Sequence, residues 1–315
     1  MKYSKPINLI LLSILITFIS ACSSPTHIKT KKSIEPLVSA QWLKDNLNDS
    51  DIVLLDTTVI VEMDSKGGFS QKSGLQQYKD GHIPKAVFAD LLGDLSANEE
   101  LDLIMPTPQQ FKKAMENLGV GDDSRVVLYS ADNPVWAARV WWMLRWIGFE
   151  NVAILDGGLK AWQADGNLLS AELPINSKKS LTLNLRPELI ADRNEVFAGI
   201  KNNQVDLYDA MPAPHYLGQF SMYARPGHIL SAVSLPTTEL IDEAGLYKPL
   251  DELDLLIDYN KNNRSIAYCG GGVAASAVAF NLYRLGYSDV AVYMGSLQEW
   301  VVNPENPMTT VESNE

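Results

Sequence analysis

Two kinds of apolar pattern alternate along the chain from residue 37 onward. Short continuous apolar runs predict strands that are buried on both faces, as in a parallel sheet. Between them, apolar residues recur every three or four positions, which predicts helices that cover such a sheet. The predicted strands are 51–56, 125–129, 152–155, 205–209, 266–268 and 290–293, and the predicted helices are 39–47, 107–118, 135–147, 159–164, 192–200 and 274–285. This alternation indicates an α/β fold with a mostly parallel central sheet.

The second half of this pattern repeats the first. Aligning the two halves pairs Asp56 with Asp209 and Tyr129 with Tyr268, and it also superposes two Gly-His-Ile turns. An internal duplication into two similar domains explains this agreement. We predict an N-terminal domain over 37–172, a linker over 173–187, a C-terminal domain over 188–303 and a tail over 304–315.

The beginning of the chain lacks this alternation and is typical of a targeting segment. Two lysines precede the apolar run at 7–19, which is too short for a comfortable membrane span. The run leads into Ile19-Ser20-Ala21-Cys22, which resembles the bacterial lipobox. This resemblance implies a signal peptide over 1–21 and a lipid on Cys22, and an ordinary secretion signal cleaved nearby is the alternative.

A polar, lysine-bearing segment follows Cys22, and we predict that it is a flexible tether over 22–36. Because Ser23 follows the cysteine, the resemblance to lipoproteins favours the outer membrane. We therefore expect the folded domains to be lipid-anchored to the cell envelope and to face the periplasm.

Composition and charge restrict the class of partner. The chain has 315 residues, of which 46% are hydrophobic and 20% charged, so two globular domains of ordinary size are possible. The net charge is −12, and the folded part has no basic cluster. This argues against a nucleic-acid partner, whose phosphates require a positive surface. Any anionic substrate must be held by local groups against the overall charge.

The two cysteines of the chain, Cys22 and Cys269, have different predicted roles. If Cys22 carries a lipid, no disulfide can form within the chain. Exported proteins normally pair their cysteines because their compartment oxidises thiols. A single retained thiol at Cys269 therefore favours a chemical role over a packing role.

Cys269 lies between a predicted strand and a predicted helix, at the start of a glycine-rich loop. Three glycines, 270–272, allow positive φ angles and let several backbone N–H groups converge at the helix N-terminus. Such a loop binds anions and favours the thiolate form of cysteine. The sequence predicts a nucleophilic Cys269 whose sulfur adduct is cradled by Gly270, Gly271, Gly272, Val273 and Ala274. The alternative is a buried cysteine with a packing role only.

Two other readings of the same loop are disfavoured. Residues 270–275 fit the G-x-G-x-x-A dinucleotide pattern, but Met294 stands where that pattern expects an acidic residue after the next strand. A cysteine phosphatase needs an arginine in its loop to hold the phosphate oxygens, and residues 269–276 contain none. In the first domain Ser130 matches Cys269 and no glycine-rich loop follows it, so we predict that only the second domain is active.

Taken together, the repeated turns and the Cys269 loop resemble the tandem rhodanese family of sulfurtransferases, which includes thiosulfate and 3-mercaptopyruvate sulfurtransferases. The further markers of this resemblance are Arg139-Val-Trp-Trp-Met143, Leu155 to Trp162, Gly295-Ser296 and Glu299-Trp300. The resemblance implies two rhodanese-like α/β domains, with the active site of the second domain facing the cleft between them. It also implies that Cys269 takes a sulfane sulfur from a donor as a persulfide and passes it to cyanide or a thiol, without a metal or other cofactor.

The chain departs from the family pattern in its anion-binding residues. Thiosulfate enzymes carry basic residues at the positions of Gly270 and Gly271. Mercaptopyruvate enzymes have glycine at the first of these positions, but hydroxyl residues at those of Gly271 and Ala274. Met211 replaces an arginine that usually follows the Asp-Ala pair. Arg225 is the remaining cation near this region in sequence, and we predict it as a possible anion contact.

These features favour a sulfurtransferase whose donor is 3-mercaptopyruvate or another small organic thiol, because Gly270 fits that subfamily and the basic pair is missing. The alternative is a sulfur carrier without turnover, which would form a persulfide on Cys269 and deliver it to a protein partner. His82 and His228 occupy matching turns, one of them in the domain without the cysteine, so we predict a structural role for both.

Overall fold

The computed structural model describes residues 1–3, 32–63, 69–97, 103–257 and 260–310. The predicted lipidation site Cys22, the apolar run before it and most of the tether therefore lie outside the described residues. The described part of the chain contains no helix that is both long enough and apolar enough to cross a membrane.

The described residues form short strands and helices in alternation. The strands are β1 Leu37–Val38, β2 Ile52–Asp56, β3 Val59–Met63, β4 Phe69–Ser73, β5 Val87–Phe88, β6 Arg125–Tyr129, β7 Val152–Leu155, β8 Ile190–Ala191, β9 Val205–Asp209, β10 His228–Ile229, β11 Val233–Ser234, β12 Arg264–Tyr268, β13 Asp289–Tyr293 and β14 Met308–Thr309. The helices are α1 Ala40–Asn46, α2 Leu75–Asp80, α3 Pro108–Asn117, α4 Val135–Trp146, α5 Gly158–Ala164, α6 Arg193–Asn202, α7 Ala213–Tyr216, α8 Leu250–Leu256, α9 Val273–Arg284 and α10 Ser296–Trp300.

Two five-stranded sheets form the centres of the two halves. The first has the order β1-β7-β6-β2-β5 and the second has the order β11-β9-β12-β13-β8. The strand pairs within both sheets are parallel. This confirms the predicted α/β fold with parallel sheets. The exact domain boundaries, including the linker over 173–187, stay predictions.

The duplication extends to individual hydrogen bonds. In the first sheet Asp56 pairs with Tyr129, and in the second Asp209 pairs with Tyr268. Each tyrosine hydroxyl also accepts the backbone N–H of the isoleucine in its Gly-His-Ile turn, at 3.3 Å in the first domain and 2.9 Å in the second. The same buried arrangement therefore supports the loop after the central strand of both domains.

Polar side chains begin several helices as the sequence predicts. The Ser39 hydroxyl accepts the N–H of Trp42 before α1, and Thr107 does the same for Gln110 before α3. Asp192 caps α6 through the N–H of Glu195. These caps satisfy helix-end N–H groups and fix where each helix starts.

The two halves meet where α4 packs against α9. The Trp141 ring lies edge-on to Phe280 at 4.9 Å, and the Arg145 guanidinium lies 4.1 Å from the centre of the Tyr283 ring. The surrounding buried residues form one hydrophobic core that includes side chains from both halves. Because α4 and α9 each follow the central strand of a sheet, this contact brings the two strand-end loops to the same region.

Three short segments differ from the prediction. The β3–β4 hairpin is absent from the sequence prediction, and its strands pair with each other rather than with a central sheet. In the segment predicted as a tail, β14 pairs with β10. At the end of the predicted tether, the Lys32 carbonyl accepts a hydrogen bond from Asn151 at 3.1 Å.

Candidate active site

Cys269 lies directly after β12, at the point where the central strand of the second sheet turns into α9. Its side chain is buried, with 3% of the residue exposed. The Sγ atom accepts the backbone N–H of Gly272 at 3.1 Å. Its own N–H donates to the Ser296 hydroxyl at 3.1 Å, and its carbonyl accepts the N–H of Leu297 at 3.0 Å. Cys269 is therefore held by hydrogen bonds to both its backbone and its sulfur.

The glycine at 272 is required by the shape of the loop. Its φ angle is +80°, and a Cβ atom there would lie 2.8 Å from the Arg139 guanidinium and 3.0 Å from the Met294 backbone. At Gly270 a Cβ would overlap the Tyr223 hydroxyl, whereas at Gly271 the nearest atom is the Gln298 amide nitrogen at 3.3 Å. The Tyr223 hydroxyl thus occupies the space that a side chain at position 270 would need.

Ser296 positions the Cys269 loop through its hydroxyl group. This residue has a φ angle of +51°, and its hydroxyl donates to the Tyr293 carbonyl at 2.7 Å while it accepts the Cys269 N–H. The Gly295-Ser296 pair is one of the family markers, but the sequence alone did not assign Ser296 a role at the site. Its position directly after β13, next to the strand that carries the cysteine, is the signal that could have identified it.

A cavity of about 410 Å³ opens in front of Cys269. Leu103, Val135 and Trp136 of the first half line it, together with Met211 and Tyr223 of the second half. The predicted cradle residues Gly270, Gly271, Val273 and Ala274 also line it, whereas Gly272 meets the sulfur through its N–H. The structure therefore brings the predicted cysteine loop to a cavity that both halves enclose.

Arg139 of α4 reaches the Cys269 loop from the first half of the chain. It is 2% exposed, and its guanidinium donates to the Leu103 carbonyl at 2.7 Å, to the Gly272 carbonyl at 3.4 Å and to the Met294 sulfur. Burial lowers the pKa of Arg139 to about 10, and the nearby Cys269 acts in the opposite direction on this pKa. The side chain is still charged at neutral pH, and it places a cation behind the loop.

The Arg225 side chain contacts the backbone at Asn303. Its guanidinium donates to the Asn303 carbonyl at 3.1 Å, and the residue is absent from the lining of the cavity. Its interpretation as an anion contact stays a prediction, and this geometry does not support it.

The two turn histidines make matching contacts. The Nδ1 atom of His82 lies 2.6 Å from the Tyr78 carbonyl, and that of His228 lies 2.7 Å from the Tyr216 carbonyl. Each imidazole ring stacks on the same tyrosine, at 4.0 Å and 3.7 Å. Equal contacts in a domain without the cysteine support a structural role for both.

The matching loop of the first half also faces a cavity, of about 200 Å³, but Ser130 stands in place of the cysteine. Within the described ranges, no cluster of three or more histidine, cysteine or acidic side chains has the arrangement of a metal site.

Comparisons with known proteins identify the family of the chain. The family model for the rhodanese-like domain matches residues 39–165 and 192–303. The chain is 33% identical to the 3-mercaptopyruvate sulfurtransferase of Escherichia coli (strain K12) over 286 residues, which cover 87% of this chain and 98% of that protein. It is 30% identical to the mitochondrial thiosulfate/3-mercaptopyruvate sulfurtransferase 1 of Arabidopsis thaliana over 307 residues, which cover 89% and 79%.

The chain is also similar to a solved structure of a related enzyme. The crystal structure of SseA from Escherichia coli, a 3-mercaptopyruvate sulfotransferase by its description, aligns with a TM-score of 0.74 and 32% identity over 84% of this chain and 99% of that chain. The chain therefore belongs to the rhodanese family, and it is a sulfurtransferase with two rhodanese-like domains in tandem.

Proposed function

We propose that Cys269 is the catalytic nucleophile, and that it takes a sulfane sulfur from a small organic donor of the 3-mercaptopyruvate type and passes it to a thiol or cyanide. One observation carries this proposal: the Cys269 sulfur accepts the Gly272 N–H at 3.1 Å, at the N-terminus of α9 and at the wall of the cavity. A cysteine in this position has both an N–H group directed at its sulfur and access to a donor.

The protein groups around Cys269 have separate roles in the proposed reaction. The Gly272 N–H and the N-terminal end of α9 favour negative charge on the sulfur. The Arg139 cation behind the loop acts in the same direction. Most of the cavity wall is apolar, and an apolar surrounding strengthens these electrostatic interactions. The reaction passes through the cysteine itself and uses no metal or other cofactor.

The donor is a mercapto-carbonyl compound rather than thiosulfate. Thiosulfate carries two negative charges, and Gly270 and Gly271 offer no basic side chain to hold them. Gly270 also lies against the Tyr223 hydroxyl, so the loop has no room for a cation at that position. The relative from Escherichia coli is named as a 3-mercaptopyruvate enzyme, which agrees with this choice.

The proposal is tested with the purified full chain in detergent, incubated separately with 3-mercaptopyruvate and with thiosulfate. We expect 3-mercaptopyruvate to add one sulfur atom to the peptide that contains Cys269, and a thiol acceptor to remove it with repeated turnover. Intact and peptide mass spectrometry give the adduct, and released sulfide gives the turnover. An adduct without turnover would indicate the sulfur-carrier alternative, and no adduct with either donor would overturn sulfur chemistry at Cys269.

The proposal also places the enzyme at the periplasmic side of the cell envelope, anchored through a lipid on Cys22. Its support is the sequence alone: an apolar run, small residues and then Cys22. When the full chain is expressed with a labelled fatty acid, we expect the label on the wild-type protein and its recovery with outer membranes. Cys22→Ala should carry no label and leave the membrane fraction, and equal labelling of both proteins would contradict the anchor.

A further inference from the structure

The cavity in front of Cys269 has no charged wall. Among the described residues that line it, none is an aspartate, glutamate, lysine, arginine or histidine. Most lining side chains are apolar, and its polar side chains are neutral ones such as Asn133, Thr237 and Gln298. Val61 and Met222, which also line the cavity, are 45% and 37% exposed although they are large apolar residues. A ligand therefore meets an apolar opening before it reaches the sulfur.

Two arginines and a histidine in this region of the structure do not reach the cavity wall. The guanidinium groups of Arg139 and Arg225 donate to backbone carbonyls of Leu103 and Asn303. His215, whose ring lies 6.4 Å from that of Tyr223, is buried, and burial lowers its pKa, so it is uncharged at neutral pH. None of these three side chains lines the cavity.

An acidic group supports the floor of the cavity at Met211. The Asp209 carboxyl accepts the Met211 N–H at 2.7 Å and the Tyr268 hydroxyl at 2.8 Å. Burial raises the pKa of Asp209 to about 6, so it is mainly ionised above that pH. A carboxylate that entered the cavity would meet this negative charge, and no described residue of the cavity wall carries a cation to offset it.

Two helix N-termini beside the cavity each donate one backbone N–H to a protein side chain. The N-terminal end of α9 serves the Cys269 sulfur through Gly272. At the start of α4 the Asn133 side chain accepts the Val135 N–H at 3.1 Å. In contrast, Trp136 lines the cavity, and its buried indole N–H has no hydrogen-bond partner among the described residues. An indole N–H is a neutral donor that suits a carbonyl oxygen.

From this wall we infer that the sulfur donor is an uncharged mercapto-ketone or mercapto-ester, HS–CH₂–CO–R with an apolar R group, and that the site selects against the carboxylate form. The inference rests on the proposed role of Cys269. The thiolate attacks the donor sulfur, the S–S bond forms and the C–S bond breaks. The electron pair of the C–S bond forms the enolate of CH₃–CO–R, which takes a proton from solvent, and the donor proton stays on the new Cys269–S–SH group.

The experiment compares 3-mercaptopyruvate with its ethyl ester, which keeps the carbonyl groups and removes the charge. The full chain is used, and each kcat/KM is divided by the rate of sulfur release from the same donor to a small free thiol. We expect the normalised value for the ester to exceed that for the anion by at least about tenfold, the usual effect of a charge left without its partner.

Met211→Arg supplies the missing cation at the cavity wall, and Met211→Leu is the matched neutral control. We expect the arginine variant to shift the preference toward 3-mercaptopyruvate by about tenfold or more, and the leucine variant to keep the wild-type preference. If the arginine variant does not fold, the wild-type comparison decides alone.

The outcomes separate the two claims. A wild-type preference for the ester below about tenfold, or a preference for the anion, overturns the inference and leaves sulfur transfer by Cys269 intact. Absence of a persulfide with both donors overturns the proposed function and this inference together.

Discussion

Cys269→Ser is expected to lower sulfur transfer by about 10⁴-fold or more, the size of effect seen when a catalytic nucleophile is removed. A serine hydroxyl cannot form a persulfide, and it is a weak nucleophile without an adjacent base. Its oxygen can still accept the Gly272 N–H that the sulfur accepts now. We therefore expect the free energy of unfolding to change by less than about 1 kcal/mol. Sulfide release and chemical denaturation measure the two effects.

The duplication provides a matched control for this variant. Ser130→Ala changes the corresponding position in the first half, where the hydroxyl has no hydrogen-bond partner among the described residues. It should leave turnover within about twofold of the wild type, because the change does not involve the reacting atoms. Persulfide formation by Cys269→Ser, or equal losses of turnover in both variants, would contradict the assignment of Cys269 as the nucleophile.

Arg139→Met is expected to lower both the stability and the reactivity of the enzyme. The change leaves the Leu103 and Gly272 carbonyls without the guanidinium that now donates to them. Unpaired buried groups of this kind cost about 2–4 kcal/mol of unfolding free energy. The change also removes the positive charge behind the Cys269 loop, so we expect about a tenfold slower reaction of the thiol with iodoacetamide at pH 7. Denaturation and alkylation kinetics measure these effects separately.

Two arginine variants separate charge from packing in this prediction. Arg139→Lys keeps the charge but lacks the forked donors, so it should recover more of the alkylation rate than of the stability. Arg145→Met removes another buried arginine of α4, which stacks on Tyr283 and pairs with Glu150. It should lower stability without changing the alkylation rate. An alkylation rate of Arg139→Met equal to that of the wild type would rule out an electrostatic role.

The central strands were predictable because each is defined by its own residues. The bounds of β6, β7 and β9 agree with the strands predicted at 125–129, 152–155 and 205–209, and residues 126–129 and 152–155 are continuous apolar runs. A buried parallel strand imposes such a run whatever surrounds it. The β3–β4 hairpin has no comparable run, since its strands pair with each other and not with a central sheet. Its formation depends on a turn and on cross-strand contacts that the apolar pattern does not record.

The cysteine loop was predictable for a similar reason, whereas Arg139 was not. Cys269 and its glycines are adjacent in sequence, and their backbone requirements are local. Arg139 reaches Gly272 from a position 133 residues earlier, through the packing of α4 on α9. Arg225 is close in sequence to a conspicuous turn, but its guanidinium donates to the Asn303 carbonyl, so its role as an anion contact stays a prediction. Long-range contacts decide both cases, and nearness in sequence does not reveal them.

The contact between Arg139 and the Gly272 loop gives the first half of the chain a role at the site, although Ser130 stands there in place of a cysteine. A duplicated copy that contributed nothing to the reaction could drift or be deleted. Here the first half supplies part of the cavity wall and a cation behind the loop that carries Cys269. The two halves therefore make unequal contributions to one shared site.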